Sequence, residues 1–337
     1  MSVSISDMQA LRVSNDALDH PARVYQLLAE DGYVFFRGVL DLDAIAMAYG
    51  EMLEVLKQVG MVADDATRPI WTGVRVPEFD RYKRELYDSH LWQRFVAQPT
   101  VAGFFERVFG EHVTWAELGV YRCAVGSDLR ADPVAGRHQD GFYNQGVVFY
   151  TTWIPLIEID RSLGGIAVAS GLHNQGFFHD AGNPPTFAIP PDAIPSSAWR
   201  RAEVYEPGDV LIFTGSTPHS GLPNESGTIR LSMDLRFAPV SETAPLTGGL
   251  TEVSRDAVTV TTDTGEVHTV ALAHTTVMFG LTRDFISVDD LVAGEELPLG
   301  TRVIVGYQNG VATVVRPPRM VRVRPSSGFA AARTPGS

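Results

Sequence analysis

The sequence predicts a mainly β protein with flanking α-helices: a double-sheet jelly roll followed by a small all-β unit. Three observations carry this. Helical spacing of apolar residues is confined to the part before Val113. From there to about Phe237, short β-rich runs alternate with Gly, Pro, Asn and Asp clusters. Beyond residue 250, two alternating runs are each split by a tight-turn signal.

The elements follow in order. In A-L-D-H-P-A-R-V-Y-Q-L-L-A-E-D-G-Y-V-F-F, Val24, Leu27 and Leu28 sit at helical spacing, Gly32 stops the helix, and Tyr33–Phe36 is a short strand. Asp41–Val59 reads as a second amphipathic helix and Thr100–Phe109 as another; the stretch between them is mixed. The strand candidates are W-A-E-L-G-V-Y-R-C-A-V, G-V-V-F-Y-T-T-W-I-P-L, G-G-I-A-V-A-S-G, A-E-V-Y-E-P-G-D-V-L-I-F and T-I-R-L-S-M-D-L-R-F. The proline-rich Phe178–Trp199 is a long loop. A boundary near 239–250 divides a first domain, 1–245, from a β-barrel-like accessory domain, 251–322. In the latter, D-T-G-E and N-G make hairpin turns. Residues 323–337 read as a disordered tail.

Composition limits the function. The chain has 337 residues, 45% hydrophobic and 20% charged, which suits a globular protein of one large domain and one small one. A formal charge of −13 argues against nucleic acid, because phosphate binding draws on a surplus of Lys and Arg. No run approaches the ~18 apolar residues of a membrane span. The start, M-S-V-S-I-S-D-M-Q, lacks a basic stretch followed by an apolar one, so no secretory leader is expected. Cys123 is the single cysteine; a disulfide within the chain is impossible, and a cytoplasmic location fits.

The stretch G-R-H-Q-D-G-F-Y carries the chemistry. On a strand, His138 and Asp140 would face one space, with Gln139 turned away. By themselves they read equally as a polar pair beside a turn or as two metal ligands. A second histidine would complete two imidazoles and a carboxylate, the donor set of non-haem Fe(II) with open positions for co-substrate and oxygen. His219 stands out, because it follows P-G-D-V-L-I-F-T-G-S-T-P, a strand and a tight turn. Eleven residues on, Arg230 begins a strand whose one face holds Arg230, Ser232, Asp234 and Arg236. Charge on an inward face needs a partner. For Arg230 that is either Asp234 or a dicarboxylate gripped by two parallel hydrogen bonds, with Ser232 adding a third.

From Ala17 to Phe237 the chain resembles the phytanoyl-CoA dioxygenase family of Fe(II)/2-oxoglutarate oxygenases. The likeness lies in D-G-Y-V-F-F-R-G-V-L, the H-Q-D triplet, T-W-I-P-L, G-G-I-A-V-A-S-G-L-H, P-G-D-V-L-I-F…H and the His219-to-Arg230 spacing. The resemblance implies a double-stranded β-helix of cupin-like form. It implies Fe(II) on His138, Asp140 and His219, 2-oxoglutarate on Arg230, Trp153 beside that co-substrate, and O2 as oxidant. The family usually has Pro-Gly-Ser-His where this chain has Ser170-Gly171-Leu172-His173, a difference within a turn. Asp140 also argues against halogenation, since halogenating relatives replace that carboxylate with a small residue.

Further residues complete the expected pocket. Tyr121 precedes the H-Q-D segment and is expected to line the co-substrate side. Gln139, Phe142 and Tyr143 flank the ligands and are expected on the substrate side, and Trp71 and Arg75 as lid residues. His173 and His179 are read as solvated or satisfied within their loop, with approach of one to the substrate as the alternative, and Trp153 equally as core. The expected reaction is hydroxylation of a small molecule with release of succinate and CO2. An Ala-, Gly-, Val- and Arg-rich composition points to bacterial specialised metabolism. Desaturation, cyclisation or epimerisation by the same cofactors is an alternative, as is a 2-oxoglutarate sensor without turnover or a cupin-like metal enzyme. The C-terminal unit is expected to be structural, or to join copies of the chain into a homo-oligomer; the alternative is a lid over the active site of its own or a neighbouring chain.

Overall fold

A computed structural model of the chain describes residues 7–76, 83–126, 134, 136–144, 147–180, 187–241, 245–282, 285–308 and 310–318. The expected tail, 323–337, lies outside the described residues.

Two sheets form the sandwich. The larger is built from β2 (Tyr33–Phe36), β3 (Val113–Ala124), β4 (Tyr150–Pro155), β7 (Val210–Thr214) and β9 (Arg230–Pro239), in the order β2-β7-β4-β9-β3. The smaller contains β1 (Gln9–Ala10), β5 (Ile166–Ala169), β6 (Trp199–Arg201) and β8 (His219–Gly221), in the order β1-β6-β5-β8. An isolated bridge between His138 and His219 extends the β8 edge.

Helices α1 (Pro21–Asp31), α2 (Leu42–Gln58), α3 (Arg84–Asp88), α4 (Leu91–Val96) and α5 (Pro99–Phe109) supply the cover. Gly32, at φ +80°, ends α1, and the Asp41 carboxylate caps α2 by accepting from the Asp43 amide. Period-2 alternation sorts the larger sheet into two cores. Val34, Phe36, Ile154, Ile212, Leu231, Met233, Leu235 and Phe237 pack beneath the helices. Tyr33, Phe35, Trp153, Leu211 and Phe213 face inward, against Ile166 and Val168 of the smaller sheet. The polar side of β9 therefore points into the sandwich and its apolar side to the helices.

After β9 the chain makes a third sheet from β10 (Leu246–Val253), β11 (Ala257–Thr262), β12 (Val267–Ala271), β13 (Val277–Met278), β14 (Arg302–Gln308) and β15 (Val311–Arg316). Its order is β12-β11-β10-β14-β15-β13, and a further β12–β15 pairing closes it on itself. It begins at Leu246, a few residues before the expected start at 251. A single helix, α7 (Val288–Ala293), opens with a Ser287 capping box. No helix among the described residues is long and apolar enough to cross a membrane.

Candidate active site

His138 and His219 face each other on neighbouring backbones, each amide donating to the other's carbonyl at 2.9 Å. Residues paired in this way put their side chains on one side, and the rings lie 4.2 Å apart between centroids. His138 Nδ1 meets the Gly136 carbonyl at 2.9 Å and His219 Nδ1 the Thr217 carbonyl at 3.0 Å. A carbonyl only accepts, so each Nδ1 carries the proton and each Nε2 presents a lone pair.

Both lone pairs point at Asp140. Its Oδ1 lies 3.5 Å from His138 Nε2 and 3.9 Å from His219 Nε2. One ligand atom from each of the three residues falls within 4.8 Å of the others, and no other such group of His, Cys, Asp or Glu occurs among the described residues. Asp140 Oδ1 is buried and accepts no hydrogen bond. Three converging acceptors with no proton between them repel one another unless a cation sits among them. The separations of 3.5 and 3.9 Å are about half an ångström to one ångström beyond the ~3 Å edge expected for ligands at about 2.1 Å on an octahedral ion. The donor set fits Fe(II).

The other carboxylate oxygen fixes the ligand. Asp140 Oδ2 accepts from Thr151 Oγ1 of β4 at 2.8 Å and from Arg236 Nη2 of β9 at 2.6 Å. Burial pushes this carboxyl up, but the Arg236 guanidinium outweighs that and holds it well below the usual carboxylate range. Burial pushes the His219 imidazole down to about 3, so it stays neutral and able to ligate. Next to the ligand, the Gly141 amide donates to the Gly215 carbonyl at 2.6 Å. A Cβ on Gly141 would sit 2.9 Å from that oxygen, so the close approach requires glycine.

Arg230 lies at the other end of the β9 polar face. It is buried, and its Nη1 donates to the carbonyls of Gly165 at 2.8 Å and Leu222 at 2.9 Å. Its Nη2 is 3.4 Å from where a Gly221 Cβ would be. Gly221 is two residues past His219 on β8, about 6.6 Å along a strand. That is roughly the length of a five-carbon dicarboxylate. Ser232 Oγ is fully buried with no hydrogen-bond partner, as expected of a group awaiting an acceptor. Asp234 takes its ion pair from Arg122, at 2.6 Å.

The phytanoyl-CoA dioxygenase family model matches residues 28–232. The chain belongs to the phytanoyl-CoA dioxygenase family. This dioxygenase is therefore an oxidoreductase that uses iron, 2-oxoglutarate and O2. It is 33% identical over 253 residues to the 1-deoxypentalenic acid 11-beta-hydroxylase of Streptomyces arenae, covering 70% of this chain and 85% of that protein. It is 34% identical over 256 residues to the enzyme of the same name from Streptomyces exfoliatus, with the same coverage. The solved structure of the non-heme alpha ketoglutarate dependent epimerase SnoN from nogalamycin biosynthesis aligns at a TM-score of 0.42 and 20% identity, over 65% of this chain and 84% of that one. That last likeness is too slight to bear on the site.

Several expected pocket residues of the dioxygenase lie elsewhere. Tyr121 pairs with Met233 and shares its face, so it points under the helices. Its hydroxyl accepts from the Trp92 amide at 2.9 Å and donates to the Leu86 carbonyl at 3.2 Å, which removes it from the co-substrate side. Gln139 does not face substrate. It is fully buried, its Nε2 donates to the Gly176 and Ser216 carbonyls, and its Oε1 accepts from the Phe178 amide. The H-Q-D segment is not a regular strand either. Asp140 opens a one-turn helix, α6 (Asp140–Tyr143), and the extended Gln139 keeps the two ligands on one side.

Trp153 faces into the sandwich, but edge-on against Tyr205 at 4.9 Å. Phe142 stacks on His179 at 4.0 Å, with Tyr143, Phe177 and Phe187 around them, so an aromatic rim borders the ligand turn. His179 is satisfied partly within its loop and partly by the ligand segment: Nδ1 donates to Phe187 O and Nε2 accepts from the Gln139 amide. Trp71 Nε1 donates to the Val74 carbonyl and Arg75 lies over its ring at 5.4 Å. The Trp71 amide is tied to Gly227, beside the start of β9. Thr151 and Arg236 were not assigned from sequence. The signal for Arg236 was present, since it shares the polar face of β9 with Arg230.

Proposed function

We propose that His138, Asp140 and His219 hold Fe(II), that Arg230 with Ser232 anchors 2-oxoglutarate, and that the enzyme hydroxylates an unactivated C–H bond of a small, largely apolar molecule in bacterial specialised metabolism. Succinate and CO2 are the co-products. The reading rests on one observation: two imidazoles and a buried carboxylate converge within 4.8 Å of one another, with a guanidinium and a buried, unpartnered hydroxyl about one co-substrate length away along the strand. Relatives named as hydroxylases of 1-deoxypentalenic acid support the reaction type. The aromatic rim formed by Phe142, Tyr143, Phe177 and Phe187 suits an apolar substrate, and Trp71 and Arg75 are assigned as lid residues.

Each side chain has a defined task. The Gly136 and Thr217 carbonyls fix the tautomers that turn both Nε2 atoms inward. Thr151 and Arg236 hold Asp140 ionised with Oδ1 aimed at the same point. Arg230 and Ser232 orient the distal carboxylate. Iron loaded with 2-oxoglutarate and oxygen supplies the oxidising power for the C–H bond. We assign residues 1–245 as the catalytic unit and 251–322 as an accessory β unit, also available for homo-oligomer contacts, in a cytoplasmic enzyme.

The test is succinate release from 2-oxoglutarate with Fe(II) and O2, with and without candidate substrates. We expect turnover that rises with substrate. His219→Ala is expected to fold and release none. Arg230→Ala is expected to need at least about tenfold more 2-oxoglutarate, given the strength of a bidentate charge-assisted contact. Normal turnover by the His219 variant would remove the ligand assignment.

A further inference from the structure

We propose that Arg316, supplied by the C-terminal sheet, is a positioning residue for Asp140, so that this sheet is a working part of the iron site. The inference rests on the metal role proposed for Asp140. Residue 316 lies far outside the stretch 28–232 that matches the family.

The β14–β15 hairpin is buried on both faces. Val303, Val305, Ala312 and Val315 face the sheet's own core. Ile304 and Val314 face the other way, against Ala116, Val147 and Phe149 of the catalytic unit. Arg316 pairs with Ile304 and is two residues from Val314, so it shares this outward face. It is only 7% exposed. A guanidinium so placed is costly to desolvate unless acceptors meet it. Its Nε donates to the Pro317 carbonyl at 3.3 Å, and its Nη1 meets the turn that carries the ligand. Nη1 donates to the Tyr143 carbonyl at 2.9 Å and to Asn144 Oδ1.

Asn144 completes the link. It is buried, and its Nδ2 donates to the Asp140 carbonyl at 2.7 Å. Arg316 thus grips the last residue of α6, and through Asn144 its first. A helix of four residues cannot hold its own shape, since nucleation is unfavourable and its end carbonyls have no internal partners. A cation at those carbonyls supplies what the helix lacks. With α6 fixed, Asp140 Oδ1 stays aimed at the two imidazoles.

The experiment measures Fe(II) affinity of the full chain by anaerobic titration, and the visible absorption of its Fe(II)·2-oxoglutarate complex, for Arg316→Ala, Arg316→Lys, Asn144→Ala and the control Ile304→Ala. Partners that orient a metal ligand are worth about 10–100-fold in affinity. We expect a loss of that order in Arg316→Ala and Asn144→Ala with a shifted absorption band, a smaller loss in Arg316→Lys, and a double variant no weaker than either single one. Ile304→Ala, which loosens the docking and keeps the guanidinium, should lower stability and cost clearly less affinity than Arg316→Ala. Affinity within twofold of wild type in both Arg316→Ala and Asn144→Ala overturns the proposal, as does an equal loss in Ile304→Ala. If Arg316→Ala fails to fold, Arg316→Lys and Asn144→Ala decide by the same criterion. Wild-type protein that takes up no Fe(II) would overturn the metal site and this role together. Wild type that binds iron beside unchanged variants overturns this role alone.

Discussion

Arg236 shows what a single residue does here. It is 2% exposed and its charge is matched by Asp140. Removing one partner of a buried pair leaves the other charge uncompensated, which costs about 3–5 kcal/mol. Arg236→Leu is therefore expected to destabilise the apoprotein by that amount in urea unfolding; a loss below ~1 kcal/mol would mean that Asp140 is held by Thr151 alone. His173 makes a second case. It is buried against the end of α1, its Nδ1 2.7 Å from where a Gly32 Cβ would sit. Burial lowers its imidazole below the ordinary 6.5. The unfolded ring binds a proton near 6.5 and the folded ring resists it, so this contribution is present above about 6.5 and is lost as pH falls through the folded value. Urea midpoints between pH 7 and pH 5 should fall less in His173→Leu than in wild type, and equal slopes would refute it. At this scale the sequence was legible where spacing alone decides. His138, Asp140 and His219 meet as the family text implied, and the β9 alternation placed Arg230 and Ser232 together. Tyr121 and Gln139 were misplaced because alternation separates two faces without saying which is covered. Tyr121 lies under helices, and Gln139 spends its amide on three backbone groups.

Among the elements, the turn before β5 ties the fold to the co-substrate end. Gly164 has φ +84°, and a Cβ there would lie 2.1 Å from the Pro223 carbonyl oxygen. Its neighbour Gly165 gives Arg230 one acceptor and Leu222, next to Pro223, gives another. Gly164→Ala must push these two segments apart. We expect a loss of more than ~1 kcal/mol in stability, because the conformation is closed to alanine. We also expect a raised 2-oxoglutarate KM with kcat less affected, since the guanidinium moves and the iron ligands do not. A stable variant with wild-type KM would uncouple the turn from Arg230. Helices α1 and α5 were readable because periodicity and stop signals agreed: apolar 3.6-residue spacing, then Gly32 or Gly110 in the left-handed region; α2 was readable from its spacing and its Asp41 cap. Helix α6 was not, because four residues are too few to show a period, and contacts from β4, β9, β15, the turn at Gly215 and His179 hold it in place.

For the whole molecule the question is whether the third sheet stands alone. Its strands and turns were legible, since alternating runs around D-T-G-E and N-G dictate hairpins. Its docking was not. The contact joins Val147 and Phe149 to Ile304 and Val314 across a long sequence separation, through ordinary apolar residues that carry no signature. That contact predicts one cooperative unit. All five tryptophans, Trp71, Trp92, Trp115, Trp153 and Trp199, precede the third sheet, so their fluorescence reports the catalytic unit alone, whereas far-UV circular dichroism reports every strand. Burying Ile304 and Val314 completely against the catalytic unit, each worth about 1.5–3 kcal/mol, makes it unfavourable for either part to unfold first. The two probes should therefore give coincident urea transitions in wild type. Ile304→Ala, which removes ~2–5 kcal/mol of that contact, should shift both probes and begin to separate them. Two resolved transitions in the wild-type protein would make the sheet an independent domain, and would leave Arg316 gripping a neighbour that comes and goes.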